Sequence, residues 1–425
     1  MKNVIVDVLI KDISQLVTVK SHGKPKKGLD MQQVEIIENG WIAIVEDKIA
    51  GVGNGDIPAS FEITEKTLSI TAKGKTVTPG LVDPHTHLVH AGSRENELAL
   101  KLQGVPYLEI LKQGGGILST VKATQNATLD ELVIQSKKSL DRMLAYGVTT
   151  VEIKSGYGLE LETEIKQLEA IDILKQQSHM DLVSTFMGAH AIPKQYKDKP
   201  DDFVDLLINK MLPIVSEKKL AEFCDVFCEE GVFSVEQTRK ILKAAMKLGL
   251  KAKIHADEIV PLGGAELAAE LKTISAEHLM AASDEGLRMM AENNVIAVAL
   301  PGTSFNLATG KYANVRRMIE LGLSVALATD YNPGSCPTEN IQLIMSLGSL
   351  YLKMTPEEVI SAVTINAAAA INREKEIGSI EIGKKADIVI FDTPNLYYIP
   401  YHFGINHVDT VIKNGKVVVK KGQLI

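Results

Sequence analysis

Residues 76–90 read TVTPGLVDPHTHLVH, an apolar run that ends in two histidines separated by one residue. In an extended chain, side chains two positions apart point to the same side, so His85 and His87 project toward one point. Imidazole nitrogens are common ligands of Zn²⁺ and related divalent ions. The stretch therefore predicts a β-strand whose carboxyl end presents two nitrogens to one metal ion.

Apolar strand patterns recur after this stretch and alternate with helical patterns. Eight strands are predicted, at 76–83, 148–154, 182–188, 225–229, 252–256, 273–278, 295–300 and 324–330. Eight such alternations are the count of a (β/α)₈ barrel of the α/β class. A doubly wound sheet is the alternative, but it needs a glycine-rich phosphate loop after its first strand, and the sequence has none there.

Two of the intervening segments carry clear helix signals. Residues 130–147 have a helical apolar spacing and close on Gly147. Residues 234–249 begin with Ser234 and Glu236, which indicate a capping box, and close on Gly249. Both segments therefore predict helices with defined ends.

Both ends of the chain are rich in strand patterns and turn residues. The Asn-Gly pair at 414–415 predicts a two-stranded hairpin. Neither end is long enough to form a sheet core alone, so we expect residues 1–75 and 378–425 to form one small β-sandwich module. The barrel is then expected over 76–377. The polar segment 20–33 predicts an exposed loop.

The composition is that of a globular protein, with 425 residues, 45% hydrophobic and 23% charged, and a formal net charge of −7. An acidic chain with mixed charges argues against binding to nucleic acid or to an anionic membrane. No stretch reaches the roughly 18 apolar residues that a membrane span needs, and the first residues do not resemble a secretory signal. The three cysteines are expected to be reduced thiols of a cytoplasmic protein: Cys224, Cys228 and Cys336.

Histidines concentrate where the predicted barrel strands end. Six of the ten lie there: His85, His87, His90, His190, His255 and His278. In this fold the carboxyl ends of the strands face the active site. Asp330 ends the last strand, where a buried carboxylate needs a partner such as a metal ion. Three imidazoles and one carboxylate suit a single Zn²⁺ or a similar ion, and they come from His85, His87, His255 and Asp330.

Three further residues near this set could take part in the site. Lys154 would be the bridging lysine of a two-metal site, but it ends the second strand rather than the fourth, so one ion is predicted. His278 closes its strand and is expected beside the metal, either as a ligand or as a donor next to it. Glu258 follows His255 by three positions and can orient a substrate N–H or move a proton, the alternative being an exposed glutamate at a helix start.

These motifs resemble the metal-dependent amidohydrolase superfamily. The resemblance rests on PGLVDPHTH (79–87), KIHADE (253–258), SAEHL (275–279), LATD (327–330) and GSIEIGKKADIVIFD (378–392). Finer motifs resemble one branch, whose members open an imidazolone ring in histidine degradation. They are HTHLVHAGSRENE (85–97), YLEILKQGGGILSTVKAT (107–124), EIKSGYGLE (152–160), TFMGAHAIP (185–193), DVFCEEGVFS (225–234), KIHADEIVPLGGAELAAE (253–270), LPGTSFNL (300–307) and ATDYNPGSCPTENIQ (328–342). The chain departs from this branch at His90, where an aromatic residue is expected.

The resemblance implies one divalent or trivalent metal ion per subunit, zinc or iron, held by the four ligands above. It also implies a set of substrate contacts: Arg94, Tyr157, His190, Glu258, Asn332, Gly334 and Ser335. Among these, Arg94 offers a planar fork to a carboxylate. The catalytic residues would be Asp330, Glu258 and His278.

The reaction expected from this resemblance is hydrolysis of the cyclic amide of 4-imidazolone-5-propanoate to N-formimidoyl-L-glutamate. Asp330 would move the proton of water, His278 would stabilise the oxyanion, and Glu258 would hold the ring N–H, although Asp330 and Glu258 could exchange roles. A nucleobase deaminase is one alternative, but it leaves Arg94 without a purpose. A catalytically inactive barrel is the other, but such barrels usually lack metal ligands. The expected partners are a small anionic substrate and a second copy of the chain in a homodimer.

Overall fold

The structure is a computed structural model, and it describes residues 4–103, 115–308 and 310–425. Within these ranges the strands form an eight-stranded parallel sheet, a nine-stranded mixed sheet and a small two-stranded pair. Helices lie along the parallel sheet between its strands. The first of these sheets holds the candidate site.

The parallel strands follow one another around the barrel in chain order. They are β1 (Leu81–Asp83), β2 (Val148–Lys154), β3 (Asp181–Ala189), β4 (Phe223–Cys228), β5 (Lys251–Ala256), β6 (Ser275–His278), β7 (Ile296–Ala299) and β8 (Val325–Leu327). Just past β1 and β8, a parallel bridge between Thr86 and Tyr331 brings the first and last strands together. The predicted (β/α)₈ barrel is confirmed, with a strand at each predicted place.

The α-helices of the described residues are mostly short. They are Leu98–Leu102, Ile117–Asn126, Leu129–Ala145, Leu161–Gln177, Pro200–Leu206, Leu212–Glu217, Val235–Lys247, Gly264–Leu271, Asp284–Glu292, Pro301–Asn306, Val315–Glu320, Ile341–Leu350, Pro356–Ala362, Ile365–Ala370 and Tyr398–Tyr401. Single 3₁₀ turns occur at Gly28–Gln32, Glu95–Glu97 and Lys194–Tyr196, and a π-helical turn occurs at Leu207–Met211.

Both predicted helices are present, with the capping detail corrected in one. Leu129–Ala145 begins after Thr128, whose side chain forms a capping box with Glu131. Val235–Lys247 begins after Ser234, whose partner in the capping box is Gln237 rather than Glu236. The reason is geometric, because the side chain that reaches back to the cap stands three positions after it.

The mixed sheet takes strands from both ends of the chain. Its order is Gln423–Leu424, Lys416–Lys420, Val408–Lys413, Ile388–Phe391, Thr76–Pro79, Val8–Val17, Ile36–Val45 and Lys48–Asn54, with Leu68–Thr71 also paired to Val8–Val17. Val4–Ile5 and Phe61–Glu62 form the two-stranded pair. The predicted hairpin is present, since Asn414 and Gly415 both take positive φ between its strands. Strands from both ends of the chain therefore form one mixed sheet, while the sandwich arrangement and the domain bounds stay predictions.

The predicted first strand, 76–83, is divided between the two sheets. Thr76–Pro79 pairs with Ile388–Phe391 in the mixed sheet, whereas Leu81–Asp83 starts the barrel. The chain crosses from one sheet to the other at Gly80, where a Cβ would lie 2.3 Å from Thr149 Oγ1. Only a glycine fits this close approach. The chain therefore passes at Gly80 from the mixed sheet straight into β1, whose end carries the candidate site.

Three further features of the sequence can be compared with the structure away from the site. The segment 20–33 is not an exposed loop throughout, because Met31 is fully buried and Lys26 Nζ donates to the carbonyls of Lys20 and Gln33. The three cysteines are buried free thiols, with no disulfide among the described residues. None of the helices described here combines the length and the apolar character needed to span a membrane.

Candidate metal and substrate site

The four predicted metal ligands meet at the carboxyl ends of the barrel strands. His85 and His87 follow β1, His255 lies in β5 and Asp330 follows β8. Within the described ranges two groups of donor atoms lie within 4.8 Å of one another: His85 with His87 and Asp330, and His85 with His255 and His278. His85 belongs to both groups, so the barrel brings all the predicted ligands, and His278 as well, around one point.

Asp330 turns one oxygen toward the histidines and the other away from them. Its Oδ1 lies 3.4 Å from His85 Nε2 and 3.6 Å from His87 Nε2. Its Oδ2 accepts a 2.5 Å hydrogen bond from Thr303, which lies in the helix after β7. Thr303 lies within the LPGTSFNL motif, but sequence reasoning gave it no role.

The ring nitrogens provide the test of whether a metal fits this cluster. Among the residues that the structure describes, Nε2 of His85 and Nε2 of His255 are buried without a hydrogen-bond partner. Leaving such groups unsatisfied costs about 1–3 kcal/mol each. Burial, with positive neighbours adding to it, holds the pKa of His85 and of His87 well below the usual range. Neutral imidazoles with unused nitrogens beside a carboxylate are the donor set of a divalent metal site.

Two carboxylates aim the histidine rings, and sequence reasoning assigned a role to neither. His85 Nδ1 donates to Glu277 Oε2 at 2.9 Å, and His255 Nδ1 lies 3.1 Å from Asp225 Oδ2. Asp225 also accepts the backbone N–H of His255 at 3.1 Å. The Glu277 hydrogen bond leaves His85 Nε2 to turn toward the shared point, and Asp225 lies on the Nδ1 side of the His255 ring.

The turn after β8 is built around Asn332. Its Oδ1 accepts the backbone N–H groups of Gly334 and Ser335, at 2.9 and 2.8 Å. Its Nδ2 donates to the Asp330 carbonyl at 2.7 Å and to Ser335 Oγ at 2.8 Å. In this structure the predicted contact residue Asn332 therefore shapes the turn that presents Gly334 and Ser335.

Arg94 reaches across the site to this turn. A Cβ added to Gly334 would lie 0.9 Å from Arg94 Nη2, so the guanidinium occupies the space that the glycine leaves free. Among the described residues, the buried Nε of Arg94 has no hydrogen-bond partner. The sequence predicted both residues as substrate contacts, and the structure places them against each other.

Aromatic rings form one wall beside the metal ligands. The His190 ring stacks on that of His87 with centroids 4.7 Å apart and planes 13° apart, and its Nδ1 donates to the Gly156 carbonyl at 3.0 Å. Tyr157 lies with its ring centroid 5.3 Å from that of His190. The two predicted ring contacts are thus brought together.

His90 occupies the position where the resembling branch has an aromatic residue. It is buried, and its ring centroid lies 6.2 Å from that of Tyr157 and 5.7 Å from that of Tyr331. Its Nδ1 donates to the His87 carbonyl at 2.9 Å. Burial lowers the pKa of His90 to about 4, so a neutral ring packs here as an aromatic residue would.

Glu258 lies beside His278, on a loop held by two other carboxylates. Its Oε2 is 3.6 Å from His278 Nε2, and burial, with Glu229 adding to it, raises the pKa of Glu258 to about 7. Asp257 accepts the backbone N–H groups of residues 262 to 265, and Glu229 accepts that of Ile259. The nearest helix starts at Gly264, which contradicts the alternative of an exposed glutamate at a helix start.

Part of one motif cannot be placed. Residues 107–114 of the predicted YLEILKQGGGILSTVKAT motif lie outside the described residues, while Gly115 and the helix Ile117–Asn126 lie within them. Gly116 donates its backbone N–H to Glu97 Oε1 at 2.7 Å. This contact ties the described part of the motif to the segment that follows Arg94.

The model of the amidohydrolase family matches residues 76–418. The chain therefore belongs to the amidohydrolase family, and it is a hydrolytic enzyme. Solved structures agree in fold: a 5-methylcytosine deaminase from Klebsiella pneumoniae has a TM-score of 0.74 at 16% identity, covering 97% of this chain and 98% of its own. An atrazine chlorohydrolase from Arthrobacter aurescens, solved with zinc, has a TM-score of 0.72 at 17% identity, covering 98% and 96%.

Curated relatives define the branch within that family. An imidazolonepropionase from Alkaliphilus oremlandii is 78% identical over 420 residues, covering 99% of this chain and all of the relative. An imidazolonepropionase from Fusobacterium nucleatum is 58% identical over 416 residues, covering 98% and 99%. The finer motifs of the sequence resemble this same branch, and that expectation is confirmed.

Proposed function

We propose that this chain hydrolyses the ring amide of 4-imidazolone-5-propanoate to N-formimidoyl-L-glutamate in histidine degradation. The full-length likeness to imidazolonepropionases supports this substrate. The observation that carries the proposal is the Arg94 guanidinium packed against the Gly334 turn, four residues after the proposed ligand Asp330. This arrangement suits a small molecule with a carboxylate at one end and a hydrolysable ring at the other.

The ligands proposed for the metal are His85, His87, His255 and Asp330, with zinc as the ion and iron as the alternative. The solved relatives with zinc support the first choice. When bound, such an ion polarises a carbonyl oxygen and lowers the pKa of a water that it coordinates to about 7. His278 lies close enough to His85 and His255 to compete for the role of ligand, which the experiments below distinguish.

The substrate is oriented by residues on three sides of the site. The Arg94 guanidinium is proposed to bind the propionate through paired hydrogen bonds, with the Gly334 turn packed against it. Tyr157 and His190 form a rigid wall for the planar ring. With the propionate held there, the ring carbonyl is proposed to lie at the histidine cluster.

The chemical steps of the hydrolysis are assigned to two carboxylates and one imidazole. Asp330 is proposed to take a proton from the attacking water, whose oxygen adds to the carbonyl carbon. The ring C–N bond then breaks, and Asp330 returns the proton to the departing nitrogen, so the water supplies OH to the new carboxyl group and H to the nitrogen of the one ring-opened product. His278 is proposed to donate to the oxyanion, and Glu258 to hold the other ring N–H. Glu258 is 3.6 Å from His278, so these two residues can act on neighbouring atoms.

A nucleobase deaminase is the second candidate, because deaminases are among the structures with the same fold. Turnover of 4-imidazolone-5-propanoate should be compared with that of guanine, cytosine and adenosine on one preparation of zinc-loaded protein. We expect hydrolysis of the imidazolone alone. Release of ammonia from a base at a comparable kcat/KM would overturn the proposed substrate.

His278→Ala separates the two roles open to His278. If His278 is an oxyanion donor, the variant should keep bound metal at the wild-type level, and its kcat should fall by about 100- to 1,000-fold. Metal content is measured by elemental analysis of dialysed protein. A loss of metal from His278→Ala would make His278 a ligand and remove its oxyanion role.

The cellular setting of the enzyme is also part of the proposal. We place it in the cytoplasm as a homodimer, in keeping with its buried free thiols and with the prevalence of two-fold oligomers. Light scattering coupled to size-exclusion chromatography measures the mass directly. A mass near 46.2 kDa, that of a single chain, would overturn the dimer.

A further inference from the structure

A group of charged side chains lies inside the barrel beneath the histidines, and we call it the interior ion cluster. Its members are Glu152, Lys154, Asp225, Lys253 and Glu277. Every one of these side chains is fully buried. Burying charge is costly unless each group is paired, so the cluster requires an account.

The two lysines join the three carboxylates into one chain of contacts. Lys154 Nζ donates to Glu152 Oε1 and to Asp225 Oδ2, at 2.8 Å each. Lys253 Nζ lies 3.5 Å from Glu152 Oε1 and 3.5 Å from Glu277 Oε1. Glu152 is therefore shared by both lysines and lies at the centre of the cluster.

The two ends of the cluster are the carboxylates that contact the histidine rings. Glu277 accepts from His85 Nδ1, and Asp225 lies 3.1 Å from His255 Nδ1. Lys253 also donates to the Pro84 carbonyl at 3.0 Å, immediately before His85. The cluster thus contacts two proposed metal ligands, His85 and His255, and also the residue that precedes His85.

The strand pattern explains how the cluster is placed. Glu152 and Lys154 stand two apart on β2, Lys253 stands two before His255 on β5, and Ser275 stands two before Glu277 on β6. Such pairs point to the same face of a strand, which here is the barrel interior. The barrel strands also carry an apolar group that includes Val183, Phe223 and Ile296.

We infer that Glu152, Lys154 and Lys253 are positioning residues that hold Asp225 and Glu277 in place and thereby aim His255 and His85 at the metal. The inference rests on the metal site of the proposed function. Replacing buried ion networks by apolar side chains is often neutral or stabilising, so stability alone gives no reason for five buried charges. Holding the histidine rings in place does give a reason for the buried charges. Mutating the partners of metal-bound histidines typically weakens metal binding 10- to 100-fold.

The test compares two buried lysines. Lys253→Met removes the link between Glu152 and Glu277. Lys413→Met is the matched control, because Lys413 is equally buried and donates to Asp181 and Asp387, at 2.8 and 2.7 Å. Asp181 is the first residue of β3, at the opposite end of the barrel from the histidines.

Zinc affinity is measured on each purified full-length variant by competition with a chromophoric chelator, alongside Tm. Lys253→Met should bind zinc about 10- to 100-fold more weakly than the wild type. Lys413→Met should bind zinc within about two-fold of the wild type, even where its Tm falls, because it contacts no support of a metal ligand. An unchanged zinc affinity for Lys253→Met would overturn the inference while leaving the proposed hydrolysis intact.

A second variant keeps the test decisive if Lys253→Met does not fold. Glu152→Gln keeps the shape of the central side chain and removes its charge, and zinc binding should weaken about ten-fold. Wild-type affinity in Glu152→Gln would likewise overturn the inference. Failure of the wild type itself to bind zinc or iron would instead overturn the metal site of the proposed function.

Discussion

The core of the mixed sheet and the upper interior of the barrel are both lined by β-strands, yet they have opposite compositions. The sheet core is aliphatic, with Ile10, Ile42, Ile388 and Ile412 fully buried against one another. The upper barrel holds the interior ion cluster and the histidines, equally buried. The sheet core gains stability from each apolar contact, whereas the barrel interior places polar groups where a reaction needs them.

Unsatisfied polar atoms mark the same difference. Among the described residues, buried ring nitrogens of His85, His87 and His255 and the Nε of Arg94 have no hydrogen-bond partner. In the mixed sheet such atoms are scattered instead of gathered, with Trp41 Nε1 in one strand and Asn414 Oδ1 in the hairpin turn. Buried groups left unsatisfied in an otherwise well-packed barrel indicate a place prepared for a ligand.

The largest effect on catalysis is expected from His87→Ala. Loss of one proposed ligand should remove the metal and lower kcat/KM by about 1,000-fold or more, since a metal supplies several kcal/mol of transition-state stabilisation. Elemental analysis and circular dichroism check metal content and folding together. A folded variant with a full complement of metal would contradict the ligand assignment.

Glu258→Gln should have the next largest effect. The amide keeps the shape of the side chain but loses the charge with which Glu258 is proposed to hold the ring N–H, so kcat should fall about 10- to 100-fold while metal stays bound. Glu266→Gln, on the helix that follows, serves as a control outside the proposed machinery. If Glu258→Gln turned over at the wild-type rate, the proposed role of Glu258 would be wrong.

Arg94→Lys tests the shape of the guanidinium rather than its charge. Lysine cannot form the planar pair of hydrogen bonds, so KM for 4-imidazolone-5-propanoate should rise about ten-fold or more with a smaller change in kcat. Arg94→Ala should raise it further. Unchanged kcat/KM in Arg94→Ala would show that Arg94 does not bind the propionate.

Gly334→Ala should reproduce part of the Arg94 effect without touching that residue. The new Cβ would lie 0.9 Å from Arg94 Nη2, and the flexible guanidinium must move away. We expect KM to rise several-fold with Tm little changed, and no further loss when Gly334→Ala is combined with Arg94→Ala. Additive losses in the double variant would mean that Gly334 acts separately from Arg94.

The smallest effect on catalysis is expected in the mixed sheet. Ile390→Ala removes a buried side chain from its core and should lower the free energy of unfolding by about 2–5 kcal/mol. Metal content and kcat of the folded protein should equal those of the wild type. A fall in kcat without loss of stability would show that the core of the mixed sheet also contributes to catalysis, and would contradict the contrast between the two regions.

The sequence predicted which residues gather at the strand ends where chemistry and strand position coincide in one short segment. His85 and His87 needed only the alternation of a strand, and His255, His278 and Asp330 each end or nearly end an apolar run. The sequence offers Lys154 only as a bridging ligand, and its place at the end of the second strand argues against that role. The structure shows it as an ion-pair partner of Asp225, a role to which the motif gave no pointer.

Sequence alone determined the barrel, the module built from both termini and the residue types at the strand ends, because these depend on periodicity over a few residues. Tertiary structure alone decided which residues meet. Glu277 and His85 are 192 positions apart, and Asp83 and Thr329 are 246 apart, yet each pair is hydrogen-bonded. The close approach of Gly80 to Thr149, where the first strand divides, and the packing of Arg94 against Gly334 are likewise contacts between distant segments. A local pattern has no information about such partners, since only the closing of the barrel brings them within reach.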